Sequence, residues 1–460
     1  MTNHKDFLGK EPVGKLLLKL ALPTVTAQII NMLYNIVDRI YIGHIPKVGA
    51  MALTGVGVCM PLILIVAAFA ALVGNGGAPR ASIFMGKGDT KSAEKTLGNC
   101  FSLQIIISVL LTVVLLIWNR DFLLAFGASE NTIEYGVSYM NIYALGTFFV
   151  QLTLGMNAFI TAQGFAKTGM LSVLIGAVAN IVLDPIFIFG LDMGVRGAAL
   201  ATIIGQIVSG IMVIIYLTRF KTVHLTFDYL RPIPSHIKAI ISLGMAPFFN
   251  QIAMMVVQIV MNNVLRYYGG QSHYGSEIPL ACAGIISKVN MIFFSLVIGL
   301  SQGLQPIVSF NYGAGKYRRV RSAYLKAVCI ATCISSVSFL CFQLIPRQII
   351  SIFGSGSEEY FRFAEQYFRI FLFFTFLNGL QPITANYFTS IGKAGTGIFI
   401  SLTRQIIFLL PLILILPMFL GIEGVMYSAP VADLMAAVLA VFFVSRELKR
   451  MKQMEHLSEA

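Results

Sequence analysis

Polar turns divide the sequence into twelve runs of apolar residues, each about as long as a lipid bilayer is thick. The runs cover approximately residues 16–43, 51–76, 96–118, 135–160, 169–190, 194–218, 240–266, 279–304, 322–345, 363–388, 396–418 and 422–445. A helix of about 20 apolar residues crosses the hydrocarbon core and bonds its own backbone groups internally. Only 12% of the 460 residues are charged and 57% are hydrophobic, which excludes an ordinary soluble domain. We predict an all-α polytopic membrane protein with twelve transmembrane helices.

Basic residues are divided unevenly between the two sides of the predicted membrane. An even number of spans places both termini on one face, and that face receives 23 of the 33 Lys and Arg residues. The loops of the opposite face receive 8, and Lys288 and Arg404 lie within spans. The positive-inside rule therefore accounts for the net charge of +13, so we expect no nucleic-acid partner. The same rule predicts that both termini are cytoplasmic.

The second half of the chain repeats the first. Pro79 returns as Pro306, and the segment Gly194–Gly197 returns as Gly421–Gly424, both after a shift of 227 residues. Because each half holds six spans, both halves enter from the same side, which is typical of transporters that hold substrate between two lobes. We predict an N-terminal six-helix lobe at 1–220, a cytoplasmic linker at 221–237, a C-terminal six-helix lobe at 238–450 and a cytoplasmic tail at 451–460.

A carboxylate followed by proline, Asp184-Pro185, lies inside the fifth apolar run. A charge in hydrocarbon costs several kcal/mol, and proline removes a helical hydrogen bond. Asn180 lies one turn earlier on the same face. An ionisable residue within a membrane span predicts a functional site, although the structural alternative is that Asp184 caps the backbone groups that the proline frees.

Helix rise converts sequence position into depth, at about 1.5 Å per residue. Counted from the face opposite the termini, Asp38 and Asp184 lie roughly 8 and 9 Å deep, and Tyr139 and Thr202 lie roughly 6 and 12 Å deep. With Asn180, these residues occupy one layer of the N-terminal lobe. We predict that the five residues form a cation-coupling site.

Two carboxylates in one dry cavity do not both ionise readily, so such a pair can share one proton near neutral pH. A sodium ion held by the side-chain oxygens of Asp38, Asn180 and Asp184 would serve the same purpose. Both alternatives, proton and sodium, remain open.

The C-terminal lobe carries Lys288, Arg404 and Asp433 near mid-membrane. We predict that they pair mainly with one another, and the alternative is that a basic member contacts substrate or counterion. The predicted wall of the substrate cavity comprises Met254, Met255, Gln258, Lys288, Met291, Asn378 and Arg404. Methionine suits a surface that accepts many ligand shapes.

Several segments together resemble the MATE (multidrug and toxic compound extrusion) family over nearly the whole chain, with the greatest likeness to its prokaryotic DinF-like and MepA-like branches. The matching segments are Leu22-Pro23, Val37-Asp38…Gly43, Asn180…Asp184-Pro185, Gly194…Gly197-Ala-Ala, Gln305-Pro306 and Asn311-Tyr312-Gly313.

The resemblance implies twelve helices in two V-shaped lobes that export organic cations or other drug-like small molecules in exchange for protons or sodium. It also implies coupling residues in the N-terminal lobe, matching Asp38, Tyr139, Asn180, Asp184 and Thr202. The NorM-like branch has acidic residues in spans 7 and 10, but here span 7 has none and Asn378 stands where the second would be. We expect a monomer without cofactors in a bacterial or archaeal cytoplasmic membrane.

Two other classes of function fit this sequence less well than antiport does. A lipid or lipid-linked oligosaccharide flippase has the same plan but needs a strongly cationic cavity, whereas only Lys288 and Arg404 are basic within spans. An intramembrane enzyme is disfavoured because the spans contain no histidine and no metal-ligand spacing, and none of the six cysteines forms a CxxC pair. Cation-coupled antiport by alternating access is the preferred interpretation.

Overall fold

The computed structural model describes residues 7–219, 222–353 and 356–459, which are almost entirely helical and contain no β-strand in these ranges. Spans 1 to 6 form the N-terminal lobe and spans 7 to 12 the C-terminal lobe, which confirms the predicted fold class. The first six are Val13–Gly43, Met60–Gly86, Thr90–Ala125, Ile133–Ala162, Ala166–Gly190 and Val195–Arg219. The second six are Pro234–Gly270, Glu277–Gly313, Tyr317–Leu344, Glu358–Ser390 with an interruption, Ala394–Leu420 and Ile422–Glu459.

Four short helices connect or precede the spans: Phe7–Lys10, Gly49–Val58, the 3₁₀ turn Phe227–Tyr229 and Pro346–Phe353. Span 7 begins at Pro234, so the last four residues of the predicted linker 221–237 are already helical. The other predicted domain boundaries remain predictions, and Phe220 and Lys221 lie outside the described residues.

Span 10 differs from the prediction of one continuous helix over 363–388. It consists of Glu358–Phe371 and Leu380–Ser390, separated by a 3₁₀ turn at Thr375–Leu377. Gly379 packs so closely on span 9 that a Cβ atom there would lie 2.7 Å from Ser335 Oγ. The break therefore allows a close helix contact that a regular helix with a larger residue would not permit.

Three further spans contain π-helical turns: Leu152–Met156 in span 4, Ile186–Gly190 in span 5 and Thr403–Leu409 in span 11. Such turns are rare and occur frequently at functional sites. In span 5 the π turn begins directly after Pro185. Proline cannot donate its backbone hydrogen bond, so the predicted irregularity at this point takes the form of a wider helical turn.

The two lobes pack together on the side of the molecule that carries both termini, here called the terminal face. Leu16, Leu17 and Leu20 of span 1 share one buried apolar cluster with Leu300 and Leu304 of span 8. Thr24 Oγ1 also donates a 2.6 Å hydrogen bond to the carbonyl oxygen of Gly299, and Gln28 Nε2 donates to Gln302 Oε1 at 3.0 Å. These contacts lie in the half of the molecule nearer the terminal face.

Spans 2 and 7 make the closest backbone approach between the lobes. A Cβ atom at Gly76 would lie 2.1 Å from the carbonyl oxygen of Ile240, so only glycine fits there. Further towards the terminal face, a Cβ atom at Gly86 would lie 2.0 Å from the carbonyl oxygen of Phe310 in span 8. We call these interlobe contacts of spans 1, 2, 7 and 8 the terminal-face seal.

Candidate coupling site and central cavity

Asp184 lies at the end of the regular part of span 5, where Pro185 separates it from the π turn. Its side chain is fully buried, and Asp38 of span 1 is 7% exposed. Both residues therefore place a carboxyl group inside the N-terminal lobe.

The carboxyl groups of Asp38 and Asp184 lie next to each other inside the lobe. An ionised carboxylate only accepts hydrogen bonds, so this pair needs a shared proton or a cation between its oxygens. Among the described residues, Asp38 Oδ1 and both carboxyl oxygens of Asp184 are buried without a hydrogen-bond donor. Arg39 is the neighbouring basic residue whose charge acts on Asp38.

The other three predicted coupling residues surround this carboxyl pair. Asn180 Nδ2 donates a 3.3 Å hydrogen bond to Thr202 Oγ1, and Thr202 Oγ1 donates to the carbonyl oxygen of Ala198 at 3.0 Å. Tyr139 lies beside both Asp38 and Thr202. Spans 1, 4, 5 and 6 thus bring all five predicted residues together, as the depth argument requires, while their role in coupling remains a prediction.

Sequence reasoning missed two members of this site, Tyr34 and Gln206. Tyr34 lies near both Asp38 and Gln206. Tyr34 precedes Asp38 by four residues and so lies on the same helix face, a signal that was available in the sequence. Gln206 follows Thr202 by the same interval.

The fit of a monovalent cation can be judged from the oxygen atoms. Asn180 Oδ1 is buried without a partner, as are Asp38 Oδ1 and the two oxygens of Asp184. Carboxylate and amide oxygens are the ligands that hard cations such as sodium prefer. The same oxygens can also hold a proton, so the residues present suit either coupling ion.

A cavity of about 290 Å³ lies between the lobes, next to the carboxyl pair. Tyr34, Asn180 and Thr202 line it directly, whereas Asp38 and Asp184 lie one helical turn beyond Tyr34 and Asn180. Residues of the seal, including Thr24 and Gln28, line it towards the terminal face. The cavity is therefore bordered by the coupling residues on one side and by the seal on the other.

Arg404 and Asp433 form a buried ion pair inside the C-terminal lobe, as predicted, with 2.6 Å between Arg404 Nε and Asp433 Oδ1. Asn378 also lies beside Asp433. The prediction that Lys288 joins this group is wrong: its side chain is exposed and forms no ion pair with the described residues. Lys288 lies at a similar depth but points to another side of span 8, because Ile285 and Val289 occupy the buried side.

The residues predicted to form the substrate wall divide into two groups. Met254 and Gln258 lie one and two turns beyond the cavity-lining Gln251, and Met291 lies two turns from Ile298, so both sets continue the cavity walls away from the terminal face. Lys288 lies one turn further from the terminal face than Met291 on span 8. Half-buried Met255 is the neighbour of Met254 on span 7.

Asn378 and Arg404 instead lie with Asp433 inside the lobe. None of the seven lines the cavity of 290 Å³, and their contact with substrate remains a prediction.

Comparison with known proteins shows which family has this arrangement of helices. The MatE family model matches residues 23–186 and 240–415, one segment in each lobe. The chain belongs to the MATE family. This membership confirms the predicted resemblance, and the MATE chain is accordingly a multi-pass membrane transporter.

Curated relatives match the MATE chain over almost its full length. A multidrug export protein MepA from Staphylococcus haemolyticus is 25% identical over 439 residues, covering 95% of this chain and 94% of the relative. A protein of the same name from Staphylococcus aureus is 23% identical over 440 residues, with 95% of each chain covered.

Solved structures support the fold of the MATE chain. An outward-facing multidrug resistance MATE family transporter of the MOP superfamily matches with a TM-score of 0.89 and 22% identity, covering 98% of this chain and 100% of that one. A MOP superfamily transporter from Pyrococcus furiosus, described as having a binding pocket of reversed polarity, matches with a TM-score of 0.90 and 22% identity over 98% and 99% of the chains. At this identity the likeness establishes the fold alone.

Proposed function

We propose that this MATE transporter is a cation-coupled antiporter that exports small organic molecules across a prokaryotic cytoplasmic membrane. The carboxyl pair of Asp38 and Asp184 is its coupling site, and a proton or a sodium ion is its coupling ion. The observation that carries this proposal is the placement of two buried carboxyl groups next to each other beside the cavity. The relatives named multidrug export proteins support drug-like small molecules as cargo.

Ion occupancy can bias the lobe between two shapes. An empty pair with two negative charges is costly in a dry interior, whereas a shared proton or a bound sodium ion lowers that cost. Span 5 is irregular at this point, because Pro185 and then the π turn Ile186–Gly190 follow Asp184. A change of charge on Asp184 can therefore shift the balance between two arrangements of span 5, and Asn180 transmits that shift to the cavity wall.

The distribution of basic residues supports a cytoplasmic terminal face. The terminal-face seal then closes the cavity towards the cytoplasm, and export requires the seal to open and close in alternation with the opposite side. We further propose that the protein works as a monomer, since each chain has both lobes and one complete carboxyl pair. No observation favours a flippase, because the described lining of the cavity contains no Lys or Arg for a pyrophosphate group.

The test is transport by purified protein in proteoliposomes, with pH and sodium gradients imposed separately. We expect one of the two gradients to drive uptake or release of a fluorescent drug by the wild type. Asp184→Asn keeps the side-chain shape but removes the titrating charge, so it should bind drug without moving it against its gradient.

Asp192→Asn is the matched control, since Asp192 is an exposed acid eight residues away in the following loop. It also has a backbone φ of 51°, which asparagine tolerates. Normal transport by Asp184→Asn under both gradients would place the coupling site elsewhere.

A further inference from the structure

The cavity wall combines apolar residues with an unusually large number of uncharged polar side chains. Of the 28 residues that line the described cavity, nine are Asn or Gln and none is Asp, Glu, Lys, Arg or His. Tyr34 is its only aromatic lining residue. The wall thus offers neither the carboxylates nor the aromatic faces that usually recognise an organic cation.

Several of the carboxamides have polar atoms that no protein group satisfies. Asn157, Asn180, Gln206 and Gln305 line the cavity. One polar atom of each (Asn157 Oδ1, Asn180 Oδ1, Gln206 Oε1 and Gln305 Nε2) is shielded from solvent and has no hydrogen-bond partner among the described residues. Buried polar atoms generally have a partner, so a rotation of these side chains into the cavity would let the atoms bond with a ligand or with water.

The same chemistry continues into the C-terminal lobe. A second cavity of about 140 Å³ shares Asn75, Gln302 and Gln305 with the first. Its 14 described lining residues include six carboxamides and, again, no charged or aromatic side chain. A solute lying across both lobes would therefore meet amide groups on every side.

We propose that the cavity binds an uncharged polar solute with several hydroxyl or amide groups, of the class of N-acylated amino sugars and nucleosides. This rests on the proposed export function and specifies its substrate. Each carboxamide supplies both a donor and an acceptor, which matches hydroxyl and amide groups without requiring a charge. An apolar drug would leave these buried groups unpaired, and sites built to form hydrogen bonds discriminate strongly against such analogues.

The position of the coupling site agrees with an uncharged cargo. Tyr34, Asn180 and Thr202 belong both to the cavity wall and to the surroundings of the carboxyl pair. Ion binding can thus alter the wall through Tyr34 and Asn180 while the solute makes no contact with Asp38 or Asp184. The coupling ion and the cargo then need not compete for one negative charge.

The experiment measures equilibrium binding by the full-length protein in detergent, without any ion gradient. The uncharged probes are N-acetylglucosamine and uridine, and the cationic probes are tetraphenylphosphonium and ethidium. We expect at least one uncharged probe to raise the Tm in a saturable manner. Gln251→Leu and Asn75→Leu should raise its Kd at least tenfold, because each removes a carboxamide that lines the cavity.

Two variants control this measurement. Leu110→Met alters an exposed apolar residue of span 3 that does not line the cavity and should leave the Kd unchanged, and Gln251→Asn should retain part of the affinity. Saturable binding of the cations alone, or uncharged binding that is unaffected by both leucine variants, would overturn the proposal. Gradient-driven transport in proteoliposomes is a separate readout. If the wild type binds an uncharged probe but no gradient drives transport, the proposed antiport function is wrong. If a gradient drives transport but no uncharged probe binds, only the proposed substrate class is wrong.

Discussion

Gly244 of span 7 packs directly on the backbone of Leu72 in span 2, and a Cβ atom at position 244 would lie 1.7 Å from the Leu72 carbonyl oxygen. The atom it would meet is backbone, which cannot move aside as the end of a flexible side chain can. This contact belongs to the terminal-face seal and joins the two lobes. A methyl group here must therefore separate spans 2 and 7 or shift one lobe against the other.

We predict that Gly244→Ala shifts the population towards arrangements with an open seal. The readout is the labelling rate of Ala71→Cys, a cavity-lining position, by an impermeant thiol reagent in inside-out vesicles of a cysteine-free background. We expect the rate to rise roughly tenfold, which corresponds to ~1.4 kcal/mol. Gly284→Ala is the control, because a Cβ atom at Gly284 meets nothing within 4 Å. An unchanged labelling rate in Gly244→Ala would show that the seal does not determine access.

The second prediction concerns the ion pair of Arg404 and Asp433. Removing one partner leaves a buried charge without its counterion, so Arg404→Met or Asp433→Leu alone should lower the free energy of unfolding by about 3–5 kcal/mol. The double variant should recover much of that loss, because an apolar pair of similar volume leaves no charge unpaired. The measurement is unfolding of the purified protein in detergent.

Lys288→Met provides the comparison for this pair. Its side chain is exposed, so we expect the stability to change little. A single Arg404 or Asp433 variant that unfolds normally but no longer transports would assign that residue to substrate contact instead of structure.

Depth counting from the sequence succeeded for the N-terminal lobe because helix rise is nearly constant. It placed Asp38 and Asp184 in one layer, and the fold brings them next to each other. Depth does not specify the direction in which a side chain points around its helix. Lys288 shows this limit, since Val289 next to it is buried whereas Lys288 is exposed.

Local irregularities were predictable only where the sequence contains a breaker. Pro185 signalled the distortion of span 5, and the π turn begins directly after it. The 3₁₀ turn Thr375–Leu377 contains no proline itself, and the close approach of Gly379 to Ser335 of span 9 depends on tertiary packing that the sequence does not show. The carboxamide lining of the cavity was also missed, because it is assembled from many spans and no single span shows it.

The third prediction concerns orientation. Arg231 is exposed and lies between spans 6 and 7, on the terminal face. In a cysteine-free background, Arg231→Cys should be labelled by an impermeant reagent from the cytoplasmic side only. Gln271→Cys, in the exposed turn between spans 7 and 8, should be labelled from outside intact cells only. Labelling of position 231 from outside would contradict the orientation inferred from the basic residues.

The fourth prediction is that Asp38 and Asp184 act as one unit. If they share a single proton or hold a single sodium ion, loss of either carboxyl group removes most of the coupling, and loss of the second has little left to remove. We therefore expect Asp38→Asn to weaken gradient-driven transport and Asp184→Asn to abolish it, with the double variant no worse than Asp184→Asn alone. Residues in one network show such non-additivity, typically with coupling energies of about 0.5–3 kcal/mol.

The contrast for this cycle is Asp38→Asn combined with Asp192→Asn. Asp192 is exposed in the loop after span 5, so its effect should simply add to the partial loss caused by Asp38→Asn. Initial rates in proteoliposomes under the effective gradient supply the data, and drug binding in detergent confirms that every variant is folded. If the losses caused by Asp38→Asn and Asp184→Asn were partial and strictly additive, the two carboxyl groups would bind ions independently. Their proximity would then be a feature of packing rather than of coupling.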